Sequence, residues 1–157
     1  MPHAIQPAAP DSADRFAIVV AEWNRAVTDK LLAGAVAALR QAGVPDDRIE
    51  VASVPGSWEI PVVAQRMAAT ARYAAVICLG AVVRGETSHD QHINRGVSLA
   101  ISQIALQFDL PVLFGILTCD SMEQALDRAG GAHGNKGADC AEAALHMVGL
   151  LKNLPTA

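Results

Sequence analysis

Four short apolar runs divide the chain, and each is bounded by polar or glycine-containing sequence. The runs fall at residues 16–20, 49–54, 75–83 and 111–118, and aliphatic or β-branched side chains dominate them. Nearly continuous apolar runs of this length are typical of strands that are covered on both faces of a sheet. We therefore predict four buried β-strands.

The segments between these runs have the spacing of amphipathic helices. In the first segment, apolar residues recur at helical intervals from Val27 to Leu39, and Gly43 supplies a stop. The other predicted helices cover residues 59–71, 88–107, 120–129 and 139–151. The glycine-rich sequence GGAHGNKG separates the last two helices.

This alternation predicts an α/β fold, because parallel strands need crossover helices that pack on the faces of the sheet. A chain of 157 residues suits one domain. We expect a single-domain three-layer α/β/α sandwich with a four-stranded parallel sheet, of the flavodoxin-like kind. The domain is expected to cover residues 15–154. Residues 1–14 are rich in proline and alanine and are expected to form a flexible arm. They lack the basic start and apolar centre of a secretory signal, so no such signal is expected.

The composition favours association with further copies of the chain. Hydrophobic residues make up 52% and charged residues 18%, against roughly 25% charged in an average soluble domain. A surface so poor in charge exposes apolar patches, which usually mark interfaces, so we expect a homo-oligomer. The net charge of −4, without a basic cluster, argues against nucleic acid and anionic membranes as partners. Cys78, Cys119 and Cys140 are widely spaced in apolar sequence, which predicts buried thiols and a cytoplasmic protein.

Unusual residues collect where the predicted strands end, and ligands of open parallel sheets bind beyond the carboxyl ends of the strands. The four strands run into residues 22–24, 55–59, 84–89 and 118–121, which include both tryptophans of the chain. We therefore expect all four segments to converge on one site.

The sequence RGETSHDQ after the third strand is typical of an anion site. Ser88 and Gln91 match the S-x-x-Q capping box, which predicts a helix that begins at Ser88. The free backbone N–H groups at such a helix start attract phosphate. A simple capping role for Thr87 and Ser88 is the alternative.

His89 and His92 lie one helical turn apart and present two alternatives, a metal site or a proton-transfer site. A catalytic metal needs a third ligand, and no histidine-rich or cysteine-rich partner stands out in the sequence. We favour His89 as a proton-transfer group, because imidazole titrates near neutral pH. We expect His92 to be structural.

Two tryptophans and a glutamate at strand ends indicate a flat, aromatic ligand. Trp23 and Trp58 either plug the edge of the core or stack on such a ligand, and stacking contributes on the order of 1 kcal/mol. Glu59 either supports the start of its helix or accepts hydrogen bonds from ligand hydroxyl or ring N–H groups.

One cation precedes the glycine-rich segment and a second lies within it. Arg128 lies in a final helical turn, where a cation complements the helix dipole, and Lys136 precedes Gly137. The sequence around Lys136 is not a Walker loop, and no GxGxxG motif follows the first strand. Nucleotide cofactors of either type are therefore unsupported.

Five stretches of the chain resemble the lumazine synthase family: VVAEWN, VPGSWEIP, LGAVVRGETSHD, PVLFGILTCDSMEQALDRAG and GNKG. They occur in the family's order, and the resemblance extends over nearly all of residues 15–151. The resemblance implies an enzyme of riboflavin biosynthesis that joins 5-amino-6-(D-ribitylamino)uracil to 3,4-dihydroxy-2-butanone 4-phosphate. It implies that the products are 6,7-dimethyl-8-ribityllumazine, phosphate and water, and that neither a metal nor an organic cofactor is used.

The resemblance also implies a role for each candidate residue. It implies that Trp23 stacks on the pyrimidine and that His89 transfers protons. The remaining implied roles are ribityl binding by Ser57, Trp58 and Glu59; pyrimidine binding by the backbone of Ala81, Val82 and Val83; phosphate binding by the turn Gly85, Glu86 and Thr87; and completion of the site from a neighbouring subunit by Phe114, Lys136 and the phosphate-binding Arg128.

Members of this family form pentamers, and some build hollow sixty-subunit shells. The short GGAHGNKG link resembles that of shell-forming members, so the resemblance implies a shell. Glu86 stands where many relatives have a small residue, so any contact there is expected from its backbone. The residues after His89 also depart from the aromatic-rich sequence of many relatives. Two alternative functions are a non-catalytic flavin-binding or shell protein and a metal-dependent hydrolase built around His89 and His92. The presence of both His89 and Arg128 favours the synthase over a binding protein.

Overall fold

Four parallel strands form the central sheet of the computed structural model, which describes residues 1–157. They are β1 (Phe16–Ala21), β2 (Ile49–Val54), β3 (Ala75–Val83) and β4 (Val112–Cys119), in the order β2-β1-β3-β4. Every adjacent pair is parallel. The ends of these strands differ by no more than one residue from the predicted ones.

Five α-helices connect and cover the strands. They are α1 (Arg25–Gln41), α2 (Ile60–Ala69), α3 (His89–Phe108), α4 (Met122–Asp127) and α5 (Lys136–Asn153). Successive side chains of a strand point to opposite faces, so Ile18 of β1 packs with α1 and α5, whereas Val19 packs with α2 and α3. The predicted α/β sandwich with a four-stranded parallel sheet is confirmed.

The sheet is less completely covered at its edges than the apolar runs predicted. The central strands β1 and β3 are buried along almost their whole length. In the edge strands, by contrast, Val51 of β2 is 46% exposed and Phe114 of β4 is 38% exposed. An edge strand has one neighbouring strand, and the helices of a single chain leave part of its outer side open.

Local geometry explains where two helices end or begin. Gly43 follows α1 with a φ of +91°, a conformation that glycine adopts freely, as the predicted stop requires. The helix α5 begins at Lys136, ahead of the predicted start at 139, because the Asn135 side chain accepts a hydrogen bond from the Ala138 N–H at 3.1 Å.

The capping box predicted at Ser88 is wrong. Ser88 has φ −83° and ψ 12°, and its side chain makes no capping hydrogen bond. A capping residue needs extended backbone to turn its side chain back over the first helical turn. The Thr87 hydroxyl instead accepts a hydrogen bond from the His89 N–H at 3.3 Å.

A short antiparallel hairpin occupies the glycine-rich link between α4 and α5. Its strands are β5 (Ala129–Gly131) and β6 (Gly134–Asn135). The sequence did not predict this hairpin, because strands of two or three residues that consist largely of glycine carry no alternating apolar pattern.

The N-terminal arm lies against the last helix of its own chain. The Ala8 N–H donates to the Gly149 carbonyl at 2.9 Å, and Asn153 Nδ2 donates to the Gln6 carbonyl at 2.8 Å. A side chain at Gly149 would overlap the backbone of Ala8, so the arm and α5 approach as closely as their backbones allow.

All three cysteines are free and buried, as predicted. Burial raises the pKa of the Cys78 thiol far above its ordinary value. No helix combines the length and the apolar character that crossing a membrane requires.

Candidate active site

The carboxyl ends of β1, β2 and β3 open into one cleft with a volume of about 410 Å³. This first cleft is lined by most of the predicted site residues: Trp23, Ser57, Trp58, Glu59, Ala81, Val82, Val83, Gly85, Thr87 and His89. A volume of this size suits a small organic ligand. The structure therefore brings together three of the four strand-end segments.

Trp23 is held over the first cleft by backbone pairing that continues beyond the end of the sheet. The Glu22 N–H donates to the Val54 carbonyl at 2.8 Å, and the Trp23 N–H donates to the Pro55 carbonyl at 3.0 Å. The Trp23 side chain is nevertheless 74% exposed. Its ring is therefore not a plug of the core and is available to a ligand.

Asn24 belongs to the predicted strand-end segment 22–24, but the sequence reasoning gave it no role of its own. Its backbone is left-handed, with φ 65° and ψ 49°, which asparagine tolerates better than most residues. Its side-chain Nδ2 donates to the Ala81 carbonyl at 2.8 Å. Asn24 thus ties the end of β1 to the end of β3, and an asparagine between a strand and a helix is the signal that points to such a turn.

The segment Ser57–Glu59 is a short 3-10 helix that carries three candidate residues. Ser57 is buried, and a Cβ at Gly80 of β3 would lie 2.5 Å from its Oγ. Glu59 accepts a hydrogen bond from the Gly56 N–H through Oε2 at 2.9 Å, whereas Oε1 takes no hydrogen bond from the chain. The role of Glu59 in supporting the turn is therefore confirmed, and one carboxylate oxygen stays free for a ligand.

Trp58 lies across α3 with one part of its ring. A Cβ at Gly96 of α3 would lie 2.8 Å from Trp58 Cζ3, so glycine is needed there for this close approach. The Trp58 side chain is still 60% exposed. It is therefore a partly packed wall of the cleft and not a buried residue of the core.

The turn before α3 is exposed, and only some of its residues line the first cleft. Gly85 and Thr87 line the first cleft together with His89 and Asp90, whereas Glu86 is exposed and does not line it. His92 also lies outside the lining of the first cleft. No group of three or more histidine, cysteine, aspartate or glutamate side chains is arranged to hold a metal ion.

Phe114, Arg128 and Lys136 lie together in a different place from the first cleft. They line a second cleft of about 470 Å³ beside the edge strand β4, and Thr118 and His133 line it as well. The four strand ends lie at one edge of the sheet as predicted, and the Arg84 N–H donates to the Cys119 carbonyl at 2.8 Å, but Thr118 and Cys119 line the second cleft and not the first. The physical reason is the strand order, since β4 is an edge strand and its outer side opens away from β1 and β2.

The second cleft contains two cations, Arg128 and Lys136, and one carboxylate, Asp139. Arg128 ends α4, and its Nη1 donates to the Gln124 carbonyl at 3.1 Å, as expected of a cation in a last helical turn. Burial raises the pKa of the Cys119 thiol, and the charge of nearby Arg128 partly offsets this rise. Burial likewise raises the pKa of the Cys140 thiol, and Lys136 partly offsets it. Arg128 and Lys136 therefore act electrostatically on the buried thiols beside the second cleft.

A family model and two curated relatives match most of the chain. Residues 13–152 match the family model described as 6,7-dimethyl-8-ribityllumazine synthase. Two relatives of that name, from Coxiella burnetii strains CbuG_Q212 and RSA 493 / Nine Mile phase I, are each 48% identical over 144 residues, which covers 92% of this chain and 95% of theirs. A crystal structure of SulA from Pseudomonas aeruginosa matches with a TM-score of 0.43 and 14% identity over 71% of this chain and 76% of that chain, a likeness too distant to bear on fold or function.

Proposed function

The chain belongs to the 6,7-dimethyl-8-ribityllumazine synthase family, and we propose that its first cleft and the second cleft of a neighbouring copy together form the active site. The reaction is a step of riboflavin biosynthesis, in which 5-amino-6-(D-ribitylamino)uracil and 3,4-dihydroxy-2-butanone 4-phosphate give 6,7-dimethyl-8-ribityllumazine. The observation that carries the proposal is the division of the candidate residues between two clefts of one chain. Each cleft holds only part of what this chemistry needs.

The pyrimidine is placed between Trp23 and the end of β3. The exposed Trp23 ring offers an aromatic face, and stacking contributes about 1 kcal/mol beyond the area that it buries. The backbone of Ala81, Val82 and Val83 lies beside it in the same cleft. Backbone N–H and C=O groups at a strand end match the alternating donors and acceptors of a pyrimidine ring. Asn24 keeps this strand end in place through its hydrogen bond to the Ala81 carbonyl.

The ribityl chain is placed along the turn Ser57–Glu59. A polyol needs several hydrogen-bond acceptors, and the free Oε1 of Glu59 is a charged acceptor of the kind that forms strong hydrogen bonds. The half-packed ring of Trp58 supplies an apolar wall for the carbon chain.

The phosphate of the second substrate is placed at the turn before α3. Gly85 and Thr87 line the cleft there, and Glu86 contributes through its backbone, because its carboxylate would repel the phosphate. The first backbone N–H groups of α3 point toward this turn and attract an anion. Arg128 from the neighbouring copy adds a guanidinium that binds phosphate with two parallel hydrogen bonds.

His89 is the proposed proton-transfer group. The amine of the first substrate attacks the ketone of the second, and loss of water gives an imine. Removal of a proton from the carbon next to the imine then expels phosphate and leaves an enol, which tautomerises to a ketone. The ribityl-bearing amine attacks this ketone, and loss of a second water closes the ring and completes the product. Each step moves a proton or develops negative charge, so an imidazole at the start of α3 and a cation at the phosphate cover both requirements. Neither a metal nor an organic cofactor has a step in this scheme.

The second cleft has a role only if another copy uses it. We propose that Phe114, Lys136 and Arg128 reach the first cleft of a neighbouring subunit, with Phe114 and Lys136 against the heterocycle. The exposed edge of β4 and the low charge of the chain support such an interface. We propose a pentamer as the basic unit, a sixty-subunit shell as the complete assembly and the cytoplasm as the location.

The direct test mixes both substrates with purified protein and follows the absorbance and fluorescence of the lumazine product. The expected result is formation of the lumazine product, with one phosphate released for each molecule of product. A protein that binds lumazine but does not form it would instead be a binding or shell protein. Size measurement of the same sample separates a pentamer from a shell.

A further inference from the structure

Asn135 uses both ends of its side-chain amide. Its Oδ1 accepts a hydrogen bond from the Ala138 N–H at 3.1 Å, which caps α5, and its Nδ2 donates to the Lys30 carbonyl of α1 at 3.0 Å. Serine or aspartate would cap the helix equally well. The bond to α1 needs a donor on the same side chain, which serine does not supply in this geometry and aspartate lacks.

Gly34 in the middle of α1 makes room for this amide. A Cβ at Gly34 would overlap Oδ1, Cγ and Nδ2 of Asn135, which are the three atoms nearest to it. Gly34 does not adopt the left-handed conformation that would itself require glycine. Glycine within a helix is less favourable than alanine, so the glycine at this position is explained by the amide that lies against it.

The same contact fixes the place of two cations. Lys136 follows Asn135 directly, and its N–H donates to the Arg128 carbonyl at 2.8 Å. A Cβ at Gly137 would overlap the Leu31 carbonyl, so the first turn of α5 lies directly against α1. Lys136 and Arg128 both line the second cleft. A shift of Asn135 would therefore move both cations.

We propose that Asn135, seated against Gly34 and Lys30, is a positioning residue that holds Lys136 and Arg128 where the substrates in a neighbouring copy require them. This inference rests on the proposed function, because the two cations affect turnover only if the second cleft completes an active site. Misplacement of a group in an active site by about 1 Å costs as much as roughly 100-fold in rate. The cost is expected in turnover even where the fold remains intact.

Three variants separate positioning from stability: Asn135→Ala, Gly34→Ala and the double variant. Each single variant is expected to lower Tm by roughly 3 to 8 °C and kcat/KM by about ten-fold or more. In the double variant, the methyl group introduced at position 34 fills the space left by the amide, so Tm rises above that of both single variants. Its kcat/KM stays as low as that of Asn135→Ala, because no group then ties α5 to Lys30.

Two results would overturn the positioning role. One is a wild-type kcat/KM for Asn135→Ala, and the other is a kcat/KM that recovers together with Tm in the double variant, as a purely structural role predicts. Wild-type protein and Arg128→Ala, assayed in parallel, report on the proposed function itself. If the wild type is active and Arg128→Ala is equally active, the second cleft is not part of the active site, and the proposed sharing of the site between copies fails whatever the Asn135 variants do.

Discussion

Replacing Trp23 with alanine separates ligand binding from fold stability. Because the side chain is 74% exposed, only about a quarter of a tryptophan's surface contacts the fold. For a side chain of up to about 250 Å² this is roughly 60 Å², or about 1.5 kcal/mol at most. We therefore expect a decrease in Tm of about 3 to 6 °C, and the protein remains folded at the assay temperature.

The expected loss in binding is larger. A flat ligand on one face of the ring covers about 90 Å², worth about 2 kcal/mol, and stacking adds about 1 kcal/mol. A total of about 3 kcal/mol corresponds to roughly a 150-fold increase in the KM for the pyrimidine substrate. Trp23→Phe keeps an aromatic face and is the matched control, for which we expect an increase of less than about ten-fold.

The assay measures initial rates of lumazine formation at varied pyrimidine concentration and saturating phosphorylated substrate, and then with the two substrates exchanged. Thermal unfolding of the same samples gives Tm. If Trp23→Ala changes the pyrimidine KM by less than about three-fold, the ring does not stack on the substrate. Equal increases in both KM values with a large decrease in Tm would show that Trp23 supports the fold instead.

Three further predictions concern single side chains. His89→Ala is expected to reduce kcat by roughly 10-fold to 1,000-fold, and an unchanged kcat in steady-state assays would remove His89 from the mechanism. Arg128→Ala is expected to raise the KM for the phosphorylated substrate by about ten-fold or more and the pyrimidine KM far less, and equal effects on both would contradict its role at the phosphate. Burial, followed by the hydrogen bond to Glu50, raises the pKa of Tyr73. The folded state therefore favours the neutral phenol, and the contribution of Tyr73 to stability is complete below about pH 10 and is lost as pH rises through the raised pKa. Chemical unfolding at a series of pH values should show the difference between wild type and Tyr73→Phe shrinking above about pH 10, and a constant difference would argue against this.

The fold could be predicted largely from the sequence, because the central strands are buried on both faces and therefore have an unmistakable apolar pattern. Val76 and Cys78 of β3 are fully buried on one face of the sheet and Ile77 on the other, so the run that contains them is apolar at every position. Such a run between two helical patterns is explained by a strand within a parallel sheet. The hairpin β5–β6 has no comparable pattern, because its backbone pairing does not depend on apolar side chains.

The candidate residues could also be found from the sequence, and the resemblance implied that Phe114, Lys136 and Arg128 act from a neighbouring subunit, but the strand and helix pattern alone did not predict two separate clefts. Trp23 and His89 follow β1 and β3, which are neighbours in the sheet, whereas Phe114 lies within the edge strand β4. The order of the strands depends on packing between distant segments, so the sequence of a single segment does not predict it. Gly34 was missed and Asn24 was given no specific role for a related reason, because each acts through a contact with a residue far away in the sequence.

Mixing two impaired variants, each altered in a different cleft, tests the shared active site most directly. His89→Ala keeps an intact second cleft, and Arg128→Ala keeps an intact first cleft. If chains of the two variants are co-expressed in equal amounts and assemble at random, an intact site needs an Arg128→Ala chain on one side and a His89→Ala chain on the other, which occurs at about one quarter of the interfaces in a closed ring. At a concentration of phosphorylated substrate well below its KM, the account predicts that the mixed assembly has at least about one quarter of the wild-type rate, while each variant alone has about a tenth of it or less. Mixed assemblies no more active than the separate variants would contradict it, because the two residues would then have to act within one chain.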